Sequence, residues 1–153
     1  MEGGDAVTGP CRGTTTHGVP VSEAALSAPR TSPPDTTVGQ ARALFDDDHL
    51  HALLVVDGGR LLAVVEREDL VGAAADTPVG GLGRLRGRTV CPAADLGRTH
   101  AHLLAQGRRR LAVVDAEGRL VGLLCLKRSG LGFCSDADVR ARAEEREVLA
   151  LAS

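Results

Sequence analysis

The chain has no tryptophan and no tyrosine, and its aromatics are two phenylalanines, Phe45 and Phe133. That removes the stacking platforms on which single-stranded nucleic acids are bound, and it leaves any core to Leu, Val and Ala. Hydrophobic residues still fill 43% of the 153 positions, enough for one compact domain or two small fused repeats. Lysine is almost missing: Lys127 stands alone among arginines. Together with abundant Ala and Gly, this bias points to a GC-rich bacterial source. No apolar run approaches the ~20 residues that a membrane span needs; the longest is Leu120–Leu126. The N-terminus is Gly- and Thr-rich without a basic-then-apolar leader pattern, so a cytoplasmic protein is expected. The cysteines, Cys11, Cys91, Cys125 and Cys134, form no C-x-x-C and have no histidine at zinc-finger spacing. A reduced thiol set without a metal is the expectation.

A net charge of −2 gives no global signal for a polyanionic partner. The charge is unevenly distributed, however. Residues 30–83 hold four Arg against nine Asp and Glu, a balance of −5, and residues 84–128 hold ten Lys and Arg against three acids, a balance of +7. Such asymmetry is usually two solvated faces that help halves or subunits dock. The sharper reading is a basic surface near a phosphate-bearing ligand. Arg108-Arg109-Arg110, at a helix-to-strand corner, fits either a solvated turn or a bidentate phosphate clamp.

Residues 1–28 read as a disordered lead-in, broken by Gly3-Gly4, Gly9-Pro10 and Thr14-Thr15-Thr16, with room for a short helical turn near Ser22–Leu26. Beyond Pro33-Pro34 an internal repeat begins. L-L-V-V-D at Leu53–Asp57 returns as L-A-V-V-D at Leu111–Asp115, an offset of 58. The following strands, from Gly59-Arg60-Leu61 and Gly118-Arg119-Leu120, are offset by 59, so one residue is inserted at the second turn. Helices are expected ahead of both hairpins, over Val38–Asp47 and Leu96–Gln106. Asp35 (with Thr36 or Thr37) and Asp95 are their N-cap candidates. Val38, Ala41, Leu44 and Phe45 share one helical face, as do Leu96, Thr99, Leu103 and Leu104. Turns that open on Asp and close on Gly, Asp57-Gly58-Gly59 and Asp115-Ala116-Glu117-Gly118, connect the strands. A helix over Arg67–Ala75 is expected after the first copy, stopped by Thr77-Pro78, and Gly80–Gly87 reads as a flexible connector. After the second copy, Lys127–Cys134 reads as a turn with Leu131 and Phe133 tucked in. A helix opening at Ser135 and running to about Leu151 follows, with Ser135 and Asp138 as an S-x-x-D start.

The order helix, L-L-V-V-D-G-G-R-L-L-A-V-V-E-R-E-D-L (Leu53–Leu70), and its second copy with Gly122, resembles the CBS repeat. The resemblance covers roughly residues 30–142. It implies an α/β (α+β) fold, a tandem CBS pair of two β-α-β-β-α repeats related by pseudo-twofold symmetry, of the stand-alone bacterial type. The expected divisions are 29–78 for the first repeat, 79–87 for the connector, 88–142 for the second repeat and 143–153 for the end of the C-terminal helix. The family implies clefts between repeats that take adenosine-containing ligands (AMP, ADP, ATP or S-adenosylmethionine), homodimers, and regulation of a separate partner protein without catalysis. In ligand-binding members the aspartate of a T-x-x-D segment holds ribose hydroxyls and the threonine approaches phosphate. A carboxylate can accept both hydroxyls of a diol, and a hydroxyl at a helix start joins free amides facing an anion. Carried over, Asp69 matches the aspartate and Glu66 replaces the threonine, which would repel phosphate. In the second copy, ungapped counting places Cys125 and Arg128 at the two positions. If Lys127–Cys134 is an inserted excursion, Ser135 and Asp138 take them, and this register is favoured because a helix begins there.

Each residue also has a plainer role. Asp69 and Asp138 suit first-turn helix acids, and Glu66 with Asp69 lacks any neighbouring nucleophile that would make a catalytic pair. His49 and His51 could face each other only in a strand, a weak metal pattern. Cys125 reads as a small buried hydrophobe, whereas Cys134, beside a helix start, is placed for a lowered thiol pKa and a redox role. A ligand-free interaction module that mediates dimerisation or docking is the alternative function, and a nucleic-acid-binding regulator using the basic 84–128 region the weaker one. No helix-turn-helix or aromatic platform supports the latter.

Overall fold

The computed structural model describes residues 18–47 and 50–136. Within them the chain builds two three-stranded sheets of the same design. The first repeat contains β1 (Thr31–Ser32), α1 (Val38–Leu44), β2 (Ala52–Asp57) and β3 (Arg60–Glu66). The second contains β4 (Thr89–Val90), α2 (Leu96–Gln106), β5 (Arg110–Val114) and β6 (Leu120–Cys125). In each sheet a two-residue edge strand runs parallel to the next strand, which is antiparallel to the last, giving orders β1-β2-β3 and β4-β5-β6. The ladders match residue for residue: Ala52 pairs with Glu66 as Arg110 pairs with Cys125, and both bulges fall at the same place, Val55/Val56 and Val113/Val114. The mixed α+β fold and its tandem symmetry are therefore as expected.

Period-two alternation divides the strand residues between two environments. Leu53, Val55, Ala63 and Val65 face α1, packing with Val38, Ala41 and Phe45. Leu111, Val113 and Leu124 do the same beside Leu103 of α2. The opposite faces, Leu54, Leu61 and Val64 of one sheet and Ala112 of the other, form a third cluster that joins the repeats. At the axis, the Leu61 amide donates to the Gly118 carbonyl and the Leu120 amide to the Gly59 carbonyl, both at 3.0 Å.

The helices follow local chemistry. Thr37, not Asp35, caps α1, forming a reciprocal capping box with Gln40. Asp95 caps α2 as expected, accepting from the Arg98 amide at 2.9 Å. α1 ends at Leu44, three residues earlier than its pattern suggested. Leu104 departs from the α2 core face and is 55% exposed.

Several expectations fail. Residues 18–28 do not behave as a lead-in: Val21–Glu23 forms a 3₁₀ turn, and Val21 is wholly buried in the second repeat's core beside Val90 and Leu103. Complete burial of a valine is worth about 1.5–3 kcal/mol, enough to dock the segment. Leu26 and Leu123 exchange backbone hydrogen bonds at 2.8 and 3.0 Å. The supposed connector docks likewise on the first repeat, where Val79 is buried and Arg84 exchanges 3.1 Å bonds with Val64. Pro20-Val21 and Pro78-Val79 are thus a further pair in the repeat, offset by 58: each precedes one copy and packs on the other. These crossings are tight. A Cβ on Gly122 would stand 2.7 Å from the Leu26 carbonyl oxygen, and one on Gly83 would stand 2.7 Å from that of Val64.

The helix expected over Arg67–Ala75 is a single 3₁₀ turn, Arg67–Leu70. Val71 turns extended and Gly72 takes φ +79°, which ends it. Lys127–Cys134 is a turn, as read, closed by a Leu126–Phe133 bridge, but Leu131 is 88% exposed while Phe133 packs on the core. The reduced thiol set is also not met in full: Cys91 is disulfide-bonded.

Candidate functional site

A cleft of about 390 Å³ opens where the two repeats meet. Its first wall comes from the start of β2 (His51, Ala52) and the β3 exit (Glu66, Arg67, Glu68), and its second from the α2–β5 corner, residues 106–110. The size lies in the range of small-molecule sites. The Arg108–Arg110 run is not a solvated turn: all three side chains are half-buried and line the cleft.

Glu66 faces this basic wall. Arg108 donates to it at 2.6 Å, and Arg88 lies 3.3 Å from its other oxygen. Asp69 lies behind it. Its two carboxylate oxygens receive Arg88 at 2.6 and 3.2 Å, and one also caps the Glu66 amide at 2.8 Å. Arg88 is 4% exposed and reaches back to the Val64 carbonyl at 2.8 Å. Its Nε is buried without a hydrogen-bond partner among the described residues. Burial by itself raises the Asp69 pKa, but the Arg88 hydrogen bond, the Glu66 amide and the charges of Arg88 and Arg84 outweigh it and hold the carboxyl below its usual value. For Arg88, burial lowers the pKa, and the Asp69 bond with the charges of Glu66, Asp69 and Glu68 raises it further than that. The pair stays ionised.

The remaining arginines divide between scaffold and cleft. Arg67 donates to the carbonyls of Phe45, Asp47 and Leu50, at 2.6, 3.2 and 2.9 Å, closing the end of α1, and stacks over Phe45. Arg109 donates to the Leu126 carbonyl at 3.2 Å. Burial, the largest influence, lowers the pKa of half-buried Arg110, which sits against Cys125.

The structure therefore brings Glu66 and Asp69 together at one corner but gives them different surroundings, one lining the cleft and one sealed by Arg88. Cys125 occupies the ladder position of Glu66 in the second repeat. Ser135 follows the excursion and is exposed, Arg128 is exposed in its turn, and Asp138 lies outside the described residues. Neither register of the second segment yields a described carboxylate matching Asp69. His49 also lies outside the described residues, and among those described no group of three or more His, Cys, Asp or Glu side chains is placed to hold a metal ion. Sequence reasoning missed Arg88, because nothing in Gly87-Arg88-Thr89 marks an arginine that folds inward.

The sequence profile of the CBS domain matches residues 21–76. Solved structures extend the likeness across both repeats. A putative acetoin utilization protein (AcuB) from Vibrio cholerae is 22% identical, with a TM-score of 0.60, over 89% of this chain and 98% of its own. Residues 21–76 match the CBS domain, and the described residues fold as a CBS-domain pair. CBSX2, solved in complex with AMP, is 26% identical to this CBS pair with a TM-score of 0.60, over 84% of this chain and 99% of its own. The cytosolic domain of the Mg2+ channel MgtE, solved in complex with ATP, is 28% identical with a TM-score of 0.51. There the match covers 63% of this CBS pair and 41% of the MgtE chain. A comparison with curated proteins returns no match. Among the described residues of this CBS pair, no helix is long and apolar enough to cross a membrane.

Proposed function

We propose that this CBS pair is a non-catalytic regulatory module that binds an adenosine-containing ligand in the cleft between its repeats and passes its state to a separate partner protein. The observation that carries the reading is the pairing of Glu66 with Arg108 at the cleft, 2.6 Å apart, beside Arg109 and Arg110. In this arrangement the arginines are the phosphate ligands and a phosphate competes with Glu66 for Arg108. Released from that pair, the Glu66 carboxylate is free to accept a ribose diol. Asp69 supports the corner from behind, since binding a ribose itself would cost it the Arg88 pair. AMP, ADP, ATP and S-adenosylmethionine remain the ligand candidates, and ATP and AMP are those bound in the related structures.

The same reading takes the working unit as a cytoplasmic homodimer. Leu104 and Leu131 leave large apolar surface exposed near one another, with Gly130 against Leu104, a surface suited to self-association. The Cys91 disulfide is the feature that runs against a reducing compartment. A second reading, a ligand-free interaction module, is favoured by one observation: both acidic groups of the corner already have internal partners. A nucleic-acid role is disfavoured because the basic 84–128 stretch turns Arg88 and Arg108–Arg110 inward instead of presenting them.

Thermal unfolding of the full chain against ATP, ADP, AMP and S-adenosylmethionine tests the proposal. A ligand at ~100 times its dissociation constant adds about 2.7 kcal/mol to stability. A shift with a phosphorylated adenosine that is lost in Arg108→Ala supports the sensor. A folded protein unmoved by every candidate supports the interaction module.

A further inference from the structure

Cys125 and Cys134 are the free cysteines among the described residues, and their sulfur atoms lie 3.2 Å apart. A disulfide needs about 2.05 Å, so bond formation asks for a closure of roughly one ångström. The backbone already holds the two residues side by side. Leu126 bridges Phe133, the Cys134 amide donates to the Cys125 carbonyl at 2.7 Å, and the Lys127 amide donates to the Gly132 carbonyl at 2.7 Å. The far side of the turn is held by His100, whose Nε2 lies 2.7 Å from the Gly130 carbonyl oxygen and whose ring meets the Phe133 ring edge-on.

The two thiols are unequal. Cys125 is buried, and burial, reinforced by the contact with Cys134, pushes its pKa up to about 11 against the opposing charge of Arg110. Cys134 is half-exposed and is the thiol that a solute oxidant meets first. Cys125 also occupies the strand position that Glu66 holds in the first repeat, and Arg110, which lines the cleft, touches it.

We propose that Cys125 and Cys134 form a reversible intramolecular disulfide, making the Lys127–Cys134 turn a peroxide-responsive element joined through Arg110 to the inter-repeat cleft. Cys134 sulfur attacks a hydroperoxide oxygen. The O–O bond breaks, the thiol proton leaves with the departing oxygen as water, and a sulfenic acid remains. Cys125 sulfur then attacks the sulfenic sulfur, the S–S bond forms, the S–O bond breaks, and the Cys125 proton leaves with the oxygen as a second water. Two thiols lose two electrons in all, and one hydrogen peroxide becomes two waters.

The test treats the full, mildly reduced chain with hydrogen peroxide, alkylates remaining thiols under denaturing conditions, and digests with trypsin. Cleavage after Arg119, Lys127 and Arg128 places the two cysteines on separate peptides. The expected result is these two peptides joined, a link that dithiothreitol removes and Cys134→Ser abolishes. Recovery of both peptides alkylated, or of Cys134 over-oxidised with Cys125 alkylated, would overturn the proposal, as would a link from either to Cys11 or Cys91. Circular dichroism of Cys134→Ser checks that the loss of the link is not a loss of fold, and a parallel Cys125→Ala chain provides the second variant. None of these readouts depends on nucleotide binding.

Discussion

Asp69 and Arg88 meet at 2.6 Å behind the cleft, each with no more than 7% of its side chain exposed. One closes the first hairpin and the other precedes the first strand of the second repeat, so the ion pair joins the two copies. Removing one partner of such a pair leaves a buried charge under-compensated, Arg88 keeping only Glu66 at 3.3 Å, and typically costs about 3–5 kcal/mol. Asp69→Ala is therefore expected to lower stability by about that amount, and Arg88→Ala by a comparable one. The double variant should lose less than the sum, because neither charge is left alone. Urea denaturation of the four proteins gives the coupling directly, and strict additivity would show that the pair does not act as a unit.

The same carboxyl predicts an acid response. Its folded pKa is depressed, so in the window below the unfolded value of about 3.9 the unfolded chain binds more protons. The stability it contributes is present above that value and is lost as pH falls through the folded pKa. Melting temperatures measured between pH 6 and 2.5 should fall more steeply for the wild type than for Asp69→Asn, with the difference arising below about pH 4. Parallel curves would remove Asp69 from the account.

Gly122 is predicted to be intolerant of even a methyl. An added Cβ would lie 2.7 Å from the Leu26 carbonyl oxygen and 3.1 Å from the Ala25 methyl. Since the first contact is with backbone, Gly122→Ala should cost about 1–3 kcal/mol and loosen residues 18–28 from the second repeat. Limited proteolysis would show cleavage near Ala24–Leu26 at protease levels that leave the wild type whole. An unchanged stability would mean that this segment shifts freely over β6.

Much of this architecture was legible in the residues. The 58-residue offset and the turns that open on Asp and close on Gly gave both hairpins, because strand pairing depends on local alternation and turn chemistry. α2 was read to the residue, since Asp95 and Gly107 punctuate it at both ends. Val21 was not legible: one valine among glycines and threonines has no period, and its burial comes from a pocket built 70 residues later. Asp69 was legible as a candidate, but its pairing with Arg88 was not, because that arginine comes from the other repeat. The Cys125–Cys134 contact was hidden for a local reason, since the turn between them carries no signal for its own register.

Glu66 is expected to tune the ligand instead of supplying the fold. Glu66→Gln removes the charge that Arg108 now satisfies, leaving that guanidinium available to phosphate. Affinity for ATP should rise relative to adenosine in this variant. Competition between the two ligands, followed by equilibrium dialysis, checks it; an equal change for both would place Glu66 away from the phosphates.

The central claim is that the Arg108–Arg110 wall receives the phosphates of an adenine nucleotide. Isothermal titration of ATP into the wild type and Arg108→Ala, at one fixed salt concentration, addresses it most directly. The account predicts saturable binding in the wild type and a loss of at least tenfold in the variant, about 1.4 kcal/mol. Equal binding by both proteins, or none by a folded wild type, would contradict it.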